Sequence, residues 1–241
     1  MSVLVKNWRE VQPKIAHLSA VHWGGLRRAE IAHDPDDRNC LHHLDGFARH
    51  ALQGRKTSDH HRHENLEQVY YVLGGGGEVL YGEQRYPVRE GDAIYLPSGV
   101  YHQMFNDENE AWLEHHVISM KVEGDGGQFL VRNWRQVAPV SDGEGGVRWR
   151  QLGRVGEAGI GCLRGMAGIE CEAVVPGGQT RECRLAEVEQ VYYILENRGT
   201  LVVEGQEYPV SEGDMIHLPP GTRYQFRNAH AAWLRSLIMA A

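Results

Sequence analysis

Three histidines and one glutamate in the first half of the chain are residue types that could bind a metal ion. His61 and His63 are two residues apart, so on an extended strand both imidazoles leave the same face. Glu67 follows at the same parity, and His102 lies further along the chain. Neutral imidazoles with one carboxylate suit a divalent transition ion (Fe, Mn, Ni, Cu, Co or Zn) better than Ca²⁺ or Mg²⁺. Four protein ligands leave one or two positions of an octahedral ion open for water, substrate or O2.

These residues lie in the first of two copies of one sequence unit. The segment EQVYYVL at Glu67–Leu73 recurs as EQVYYIL at Glu189–Leu195, an offset of 122 residues. YPVREGDAIYLPSG and YPVSEGDMIHLPPG keep the same offset, and VKNWREV near the N-terminus recurs as VRNWRQV. Such self-similarity indicates a duplication, so we expect the two halves to share one fold. The turn-rich segment Glu123–Gly127 predicts a boundary between residues 1–122 and 123–241.

Each copy has the pattern of a series of short β-strands. Runs such as QVYYVL and AIYLP are rich in β-branched and aromatic residues, and they end at glycine or proline. EVLYG and QRYPV predict a hairpin that turns at Gly82–Glu83, whereas Leu41–Leu52 is ambiguous between helix and strand. Many short strands at close spacing are typical of a sandwich or a barrel. We therefore predict an all-β chain with two barrels.

The two segments that carry the candidate ligands resemble the cupin superfamily. His61–Gly74 spells H-x-H-x3-E-x6-G, and Gly91–Asn106 spells G-x5-P-x-G-x2-H-x3-N. The resemblance covers both copies and implies two tandem double-stranded β-helix (jelly-roll) barrels. It also implies one divalent transition metal per chain, with Fe as our first choice, held inside the first barrel by His61, His63, Glu67 and His102.

The second copy lacks the histidines of the first. At the offset of 122 residues, the three histidine positions are occupied by Cys183, Leu185 and Tyr224. Only the glutamate persists, as Glu189. Leucine has no ligand atom, and tyrosine binds softer divalent ions poorly. We therefore expect the second barrel to keep its fold without a metal, and to support stability, pairing or closure of the pocket.

Other residues near the first motif are weaker candidates for chemistry. His115 and His116 lie on a predicted strand, so one of them should face the barrel interior, unless both belong to a solvated strand face. We take His116 and Tyr71 as candidate catalytic residues, although the counterpart Tyr193 also favours a packing role for Tyr71. His60 has the opposite parity to His61, and we expect it not to bind the metal. The general base is not identified.

A metal with open coordination positions predicts an enzyme that acts on a small organic molecule. With Fe(II), the site could bind O2 beside an anionic or enolisable substrate, and we expect an oxygenase or dioxygenase. One alternative is a Zn-, Mn- or Ni-dependent isomerase, lyase or decarboxylase that stabilises an enolate. Another alternative is a non-catalytic cupin that binds a small molecule. Metal identity and O2 dependence separate these classes.

Composition argues against several other classes of protein. The 241 residues include 32 acidic and 25 basic side chains, and this net charge of −7 argues against nucleic acid as a partner. No apolar run reaches the roughly 18 residues of a membrane span, and the N-terminus has no signal-peptide pattern. We therefore expect a cytoplasmic protein with a small-molecule substrate, and we leave open whether it forms a homodimer.

Overall fold

Strands form where the sequence has its β-branched and aromatic runs. The computed structural model of the protein describes residues 3–28 and 38–241. The strands of the first half are β1 (Leu4–Asn7), β2 (Lys14–Ala16), β3 (Ala20–Arg28), β4 (Arg38–Leu41), β5 (Gly46–Leu52), β6 (Lys56–Thr57), β7 (Leu66–Gly74), β8 (Gly76–Tyr81), β9 (Gln84–Arg89), β10 (Asp92–Leu96), β11 (His102–Asn106) and β12 (Leu113–Lys121). The hairpin predicted at Gly82–Glu83 is confirmed as the β8–β9 turn, and most of the ambiguous segment Leu41–Leu52 is the fully buried strand β5.

The second half repeats this order of strands. Its strands are β13 (Leu130–Asn133), β14 (Val140–Ser141), β15 (Gly146–Arg154), β16 (Gly161–Leu163), β17 (Gly168–Val174), β18 (Cys183–Arg184), β19 (Gln190–Glu196), β20 (Arg198–Val203), β21 (Gln206–Ser211), β22 (Asp214–Leu218), β23 (Arg223–Arg227) and β24 (Leu234–Ala240). Short 3-10 turns at Trp8–Glu10 and Trp134–Gln136 follow β1 and β13. In the described ranges we find no helix that is long and apolar enough to span a membrane.

Each barrel consists of a large sheet, which is antiparallel except for the β3–β4 and β15–β16 pairs, and a small antiparallel sheet. In the first barrel the large sheet has the order β13-β10-β7-β12-β5-β3-β2, with β4 added beside β3, and the small sheet has the order β6-β11-β8-β9. In the second barrel the orders are β1-β22-β19-β24-β17-β15-β14, with β16 beside β15, and β18-β23-β20-β21. The chain therefore consists of two tandem jelly-roll barrels, as the sequence predicts.

The first strand of each repeat belongs to the other repeat's barrel. β1 pairs with β22, where Val5 lies opposite Ile216, and β13 pairs with β10, where Val131 lies opposite Ile94. The VKNWREV and VRNWRQV segments build these exchanged strands and the turns after them. The boundary predicted between residues 122 and 123 stays a prediction. The hydrogen-bonded sheets do not follow it, because each repeat lends a strand to the other.

The large sheets separate three hydrophobic cores. Because side chains alternate along a strand, Tyr70 and Val72 of β7 point into the first barrel, whereas Val69 and Tyr71 point into a core between the barrels. In β19 of the second repeat, Tyr192 likewise enters its own barrel core. The core between the barrels takes buried side chains from both repeats, among them Phe47, Val69, Tyr71, Ile118, Ile169, Val191, Tyr193, Leu237 and Met239.

Candidate metal centre

His61, His63 and His102 come together in the first barrel. One ring nitrogen from each histidine lies within 4.8 Å of the other two. The ring centroids are 4.4 Å apart for His61 and His102, 5.0 Å for His61 and His63, and 5.7 Å for His63 and His102. Three imidazoles at these distances can share one metal ion.

A β-bridge holds two of these histidines on the same face. The His61 N–H donates to the His102 carbonyl at 3.2 Å, and the His102 N–H donates back to the His61 carbonyl at 2.8 Å. Residues directly opposite each other in an antiparallel pair place their side chains close together on one face. The backbone thus brings His61 and His102 together before any ligand is considered.

The outer ring nitrogen of each bridged histidine is anchored to a backbone carbonyl. Nδ1 of His61 lies 3.2 Å from the Asp59 carbonyl oxygen, and Nδ1 of His102 lies 3.2 Å from the Val100 carbonyl oxygen. A carbonyl only accepts a hydrogen bond, so Nδ1 carries the proton and Nε2 keeps its lone pair. Both Nε2 atoms are buried and have no hydrogen-bond partner. Their lone pairs are available to an ion.

Burial favours the neutral form of two of these histidines, His102 and His63. Burial is the main reason that the pKa of His102 falls to about 3, with a further contribution from His61 that outweighs the hydrogen bond to Val100. Burial, together with His61 and His17, lowers the pKa of His63 to about 4, although Asp59 opposes the shift. Imidazole binds a metal only when neutral, so these ligands are ready at neutral pH.

Glu67 does not join the three histidines. Its buried carboxylate accepts hydrogen bonds from the backbone N–H groups of residues 164–166 of the other repeat, at 2.7–2.9 Å, and from the Tyr95 hydroxyl at 3.0 Å. Glu189 does the same in reverse, since it accepts from the backbone N–H groups of residues 42–44 at 2.6–2.9 Å and from His217 at 2.8 Å. We name these two glutamates the reciprocal clamps. Glu67, which the sequence predicts as a metal ligand, thus forms a contact between the two repeats in the structure.

The prediction for Glu67 assumed that side chains alternate between the two faces of the backbone without interruption from His61 into β7. A bend interrupts it, because Asn65 has a left-handed φ of 54° just before the strand. After the bend, Glu67 shares its face with Val69 and Tyr71, and Gln68 shares the barrel face with Tyr70. The repeat itself carried a signal, since the glutamate persists as Glu189 where all three histidines are lost.

The candidate catalytic residues His116 and Tyr71 also point away from the histidine cluster. They lie opposite each other in the β12–β7 pair, on the face between the barrels. The Tyr71 hydroxyl lies 3.0 Å from Cys171 Sγ, and the ring of His116 packs 4.2 Å from the ring of Tyr193. Neither side chain lies beside the three histidines, and a catalytic role for either stays a prediction. Of the histidine pair it is His115, packed 5.0 Å from Tyr70, that faces the barrel interior.

The matching position in the second barrel is closed by its own side chains. Cys183 and Tyr224 pair there as His61 and His102 do in the first barrel. The Tyr224 hydroxyl donates to Gln190 Oε1 at 2.6 Å and lies 2.9 Å from the Tyr192 hydroxyl. Among residues 3–28 and 38–241, the groups of three potential metal ligands all lie in the first barrel.

Comparison with protein families agrees with this architecture. A family model of the cupin domain matches residues 49–117 and 172–238, one match in each repeat. The chain belongs to the cupin family. A 58-residue stretch is also 38% identical to an uncharacterised protein, MJ1618, from Methanocaldococcus jannaschii, and covers 24% of this chain and 46% of that relative. The match thus spans about half the length of this curated relative.

Solved structures with the same arrangement include several bicupins. Escherichia coli pirin YhhW in complex with nickel(II) superposes with a TM-score of 0.73 and 15% identity, over 99% of this cupin and 98% of that chain. Lactobacillus farciminis oxalate decarboxylase gives 0.76 and 11%, over 99% and 86%. A Bacillus subtilis oxalate decarboxylase structure, whose title names Mn(II) centres, gives 0.75 and 13%, over 98% and 76%. At these identities the similarity shows the fold.

Several polar residues around the histidines of this cupin were missed by the sequence analysis. His17 Nδ1 lies 2.9 Å from Asp59 Oδ1, and its ring stacks 5.0 Å from the ring of His61. His22 Nδ1 lies 2.6 Å from His50 Nε2, and His50 packs 5.4 Å from His17. The number of histidines gave a hint of this cluster, since 12 of the 14 histidines fall in the first 120 residues. Without pairing registers, however, the sequence could not assign them to one face.

His17 is held by an unusual turn of this cupin. Its φ is 48° and that of the next residue, Leu18, is 70°, although both have side chains that disfavour this region. At the matching turn of the second repeat the chain has Gly143, with φ of 85°. Strained backbone that delivers a polar side chain to a ligand cluster is a mark of a functional position.

Proposed function

We propose that this protein is a metal-dependent enzyme that acts on a small organic molecule. Our first assignment is an Fe(II)-dependent dioxygenase, with one metal ion in the first barrel and none in the second. The observation that carries the proposal is the convergence of His61, His63 and His102, with the Nε2 atoms of His61 and His102 buried and unpartnered.

The residues present fit a metal ion on physical grounds. A buried polar atom without a partner costs about 1–3 kcal/mol, and lone pairs that face one another repel. Two such nitrogens beside a third imidazole are therefore unfavourable in a protein core, unless a cation lies between them. Burial lowers the pKa of His63 and of His102, so neither of these two imidazoles carries a proton at neutral pH.

The protein's own residues position the site and line one side of it with buried rings. Asp59 and Val100 hold the tautomers of His61 and His102, which is the supporting role that carbonyls and carboxylates have around metal ligands. Tyr70 packs beside both His102 and His115, and these rings form a buried wall. When bound, Fe(II) would supply O2 activation and a positive charge for an anionic or enolisable substrate.

A second candidate is Lewis-acid chemistry on Zn, Mn or Ni, in an isomerase, lyase or decarboxylase. It is favoured by the structural neighbours whose titles name nickel(II), Mn(II) and oxalate decarboxylation. In that case the same three histidines hold the ion, and O2 is not consumed. The non-catalytic binding role is the outcome in which no turnover occurs with any metal.

The decisive experiment is metal analysis followed by oxygen uptake. Untagged protein is analysed by inductively coupled plasma mass spectrometry, and metal-free protein is reloaded anaerobically with Fe(II), Mn(II), Ni(II) or Zn(II). We expect one ion per chain, and O2 consumption with small enolisable or phenolic compounds when the ion is Fe(II). Turnover without O2 would select the Lewis-acid candidate. Two ions per chain would contradict the silent second barrel, and no uptake of any ion would overturn the proposal.

The partners and the compartment stay predictions. We propose a small-molecule substrate, no nucleic acid or membrane partner, and a cytoplasmic location. A homodimer stays open, and size-exclusion chromatography with light scattering would decide the oligomeric state.

A further inference from the structure

The second barrel has a cavity of about 350 Å³ whose wall includes Cys183 and Arg148. Cys183 matches His61 at the offset of 122 residues, and Arg148 has the cross-strand position that His22 has in the first barrel. The cavity therefore lies at the end of the barrel where the first barrel has its histidine cluster. Because small-molecule sites begin at about 300 Å³, it has room for a small organic ligand.

Two cross-strand pairs of opposite charge run from the mouth of this cavity to its closed end. In the β15–β17 pair, Arg150 lies opposite Glu170, and their side chains are 42% and 16% exposed. Arg148 lies opposite Glu172 on the same face, and these side chains are 33% and 1% exposed. Both arginines and Glu170 line the cavity. Glu172 thus lies at the buried end.

Glu172 has an acceptor atom to spare at this end. Its Oε1 accepts a hydrogen bond of 2.6 Å from Arg148 Nε, whereas its Oε2 is buried and has no hydrogen-bond partner among the described residues. A buried polar atom of this kind is unfavourable without a donor. Burial also raises the pKa of Glu172, although Arg148 opposes the shift. A cationic donor at Oε2 would stabilise the charged carboxylate.

The arginines of the cavity have donor groups to spare. Arg148 Nη2 makes only a long contact of 3.4 Å with the Tyr192 hydroxyl, and Nη1 lies 3.9 Å from Glu170 Oε2, beyond hydrogen-bond distance. Arg181 is an exposed residue of the same wall. Among residues 3–28 and 38–241, no carboxylate forms an ion pair with its guanidinium. Guanidinium groups with free N–H donors bind carboxylates through paired hydrogen bonds.

We propose that this cavity binds a small α-amino acid, with its carboxylate on Arg148 and Arg181 and its ammonium on Glu172. A ligand with negative charge alone would meet the unpartnered Glu172 oxygen, and a ligand with positive charge alone would meet the two guanidinium groups. One hydrogen bond joins Arg148 to Glu172, so the free donors and the free acceptor lie close together. An α-amino acid matches this arrangement, because a single carbon atom separates its two charged groups.

Ligand screening followed by calorimetry tests the proposal. The twenty standard L-amino acids are screened one at a time against the full-length protein, with the unfolding temperature as the readout. The best binder is then titrated by isothermal calorimetry beside its carboxamide, which lacks the carboxylate, and its 2-hydroxy acid, which lacks the ammonium. We expect one site per chain and at least tenfold weaker binding of each analogue. Titration after chelation should give the same affinity, because the site uses no metal.

Substitutions at the two ends of the ligand locate the site. Glu172→Gln removes the negative charge at nearly constant shape, and we expect amino-acid affinity to fall at least tenfold and hydroxy-acid affinity less than threefold. If Glu172→Gln does not fold, Arg181→Gln keeps the test decisive, because Arg181 is exposed. It should weaken binding of the amino acid about tenfold. Arg198→Gln, an exposed residue outside the cavity, is the matched control and should stay within twofold of wild type.

Three results would overturn the proposal. The first is that no amino acid raises the unfolding temperature of the wild type. The second is that binding is lost on chelation, which would assign the amino acid to the metal centre of the first barrel. The third is that wild type and Arg181→Gln bind the amino acid with equal affinity.

Discussion

The two barrels have pairs of polar side chains at matching interior positions, but the residue types in these pairs differ. At one cross-strand position the first barrel pairs His22 with His50, and the second barrel pairs Arg148 with Glu172, and both contacts measure 2.6 Å. The ion pair of the second barrel carries fixed opposite charges. The imidazole pair of the first can share one proton, and burial with neighbouring His115 and His22 lowers the pKa of His50 well below 6.5.

The same contrast holds at the centre of each barrel. The second barrel satisfies Gln190, Tyr192 and Tyr224 by hydrogen bonds among themselves. The first barrel leaves the acceptors of His61 and His102 without partners. Because the fold and the matching backbone bridge are shared, the difference lies in the side chains alone. We expect a closed network of this kind in a barrel that binds no ion, and unpartnered acceptors in a barrel that binds an ion.

The largest expected effect is on metal binding, and it should separate the barrels completely. We predict that His102→Ala lowers metal affinity by more than 100-fold, because one of the converging imidazoles is lost. Tyr224→Phe, at the matching position, should retain one ion per chain and lose about 1–2 kcal/mol of stability with its buried hydrogen bonds. Metal titration followed by mass spectrometry measures the first effect and urea unfolding the second. Equal metal loss in both variants would refute the division into one binding and one silent barrel.

The reciprocal clamps should show the opposite behaviour, with equal effects in the two repeats. We predict that Glu67→Ala and Glu189→Ala each lower the free energy of unfolding by about 3–5 kcal/mol, because each leaves three backbone N–H groups of the other repeat without an acceptor. Metal stoichiometry of the folded fraction should not change. Urea unfolding with metal analysis checks this, and the exposed Glu64→Ala is the control. Loss of the ion in Glu67→Ala without loss of stability would restore Glu67 as a ligand.

Acid should destabilise the first repeat at a higher pH than the second. Burial is the main cause that lowers the pKa of His115 to about 3, with further contributions from His17 and Arg49, whereas the unfolded chain takes up this proton near pH 6.5. Stability of the metal-free protein should therefore fall as the pH drops from about 6.5 towards 3, by up to about 1.4 kcal/mol per pH unit for each such histidine. The variant His115→Ser should flatten this slope. The midpoints of urea unfolding at pH 7.5, 6 and 5 measure this slope for the wild type and for His115→Ser. Equal slopes for the two proteins would contradict the role of His115 in the acid sensitivity.

In the second repeat, protonation of Glu189 should lower the stability of the protein in acid. Burial alone would raise the pKa of this carboxyl, but hydrogen bonds from His217 and the backbone of residues 42–44 outweigh burial and lower the pKa to about 2. A carboxyl with a depressed pKa stabilises the fold above its unfolded value of about 4.5, and this contribution is lost as the pH falls towards 2. The loss should therefore begin about two pH units lower than the loss due to His115.

The smallest expected effect concerns the turn that carries His17. Leu18 is 74% exposed with φ of 70°, so Leu18→Gly should relieve backbone strain and stabilise the protein by about 0.5–1 kcal/mol. Ile15→Gly is the matched control, because Ile15 is 72% exposed in β2, and glycine in a strand costs stability. Thermal unfolding compares the two variants. A loss of stability in Leu18→Gly would show that the turn is not strained.

The sequence predicts the fold well because its signals there are local or repeated. Short β-branched runs predict the strands, and the duplication predicts two barrels. The structure turns Glu67 away from the histidines because one left-handed residue, Asn65, reverses the side-chain alternation, and no local pattern reports that bend. The same reversal places Tyr71, which has the parity of Glu67, on the face between the barrels and Tyr70 on the barrel face. The exchanged strand β1 pairs with β22, whose residues lie more than 200 positions away in the sequence. Short-range patterns do not encode a pairing at that separation.

The exchanged strands have a consequence for how such a chain can change over generations. Cutting the chain between the repeats would leave two single-barrel subunits, each with a first strand that completes its neighbour, which is the form of a strand-swapped dimer. In a dimer encoded by one single-barrel gene, every substitution is present in both barrels. In the fused chain the copies vary independently, while the swapped strands oblige each copy to remain folded. One barrel can then differ at the histidine positions and still keep its scaffold. The difference between His61 in the first repeat and Cys183 at the matching position of the second is an example.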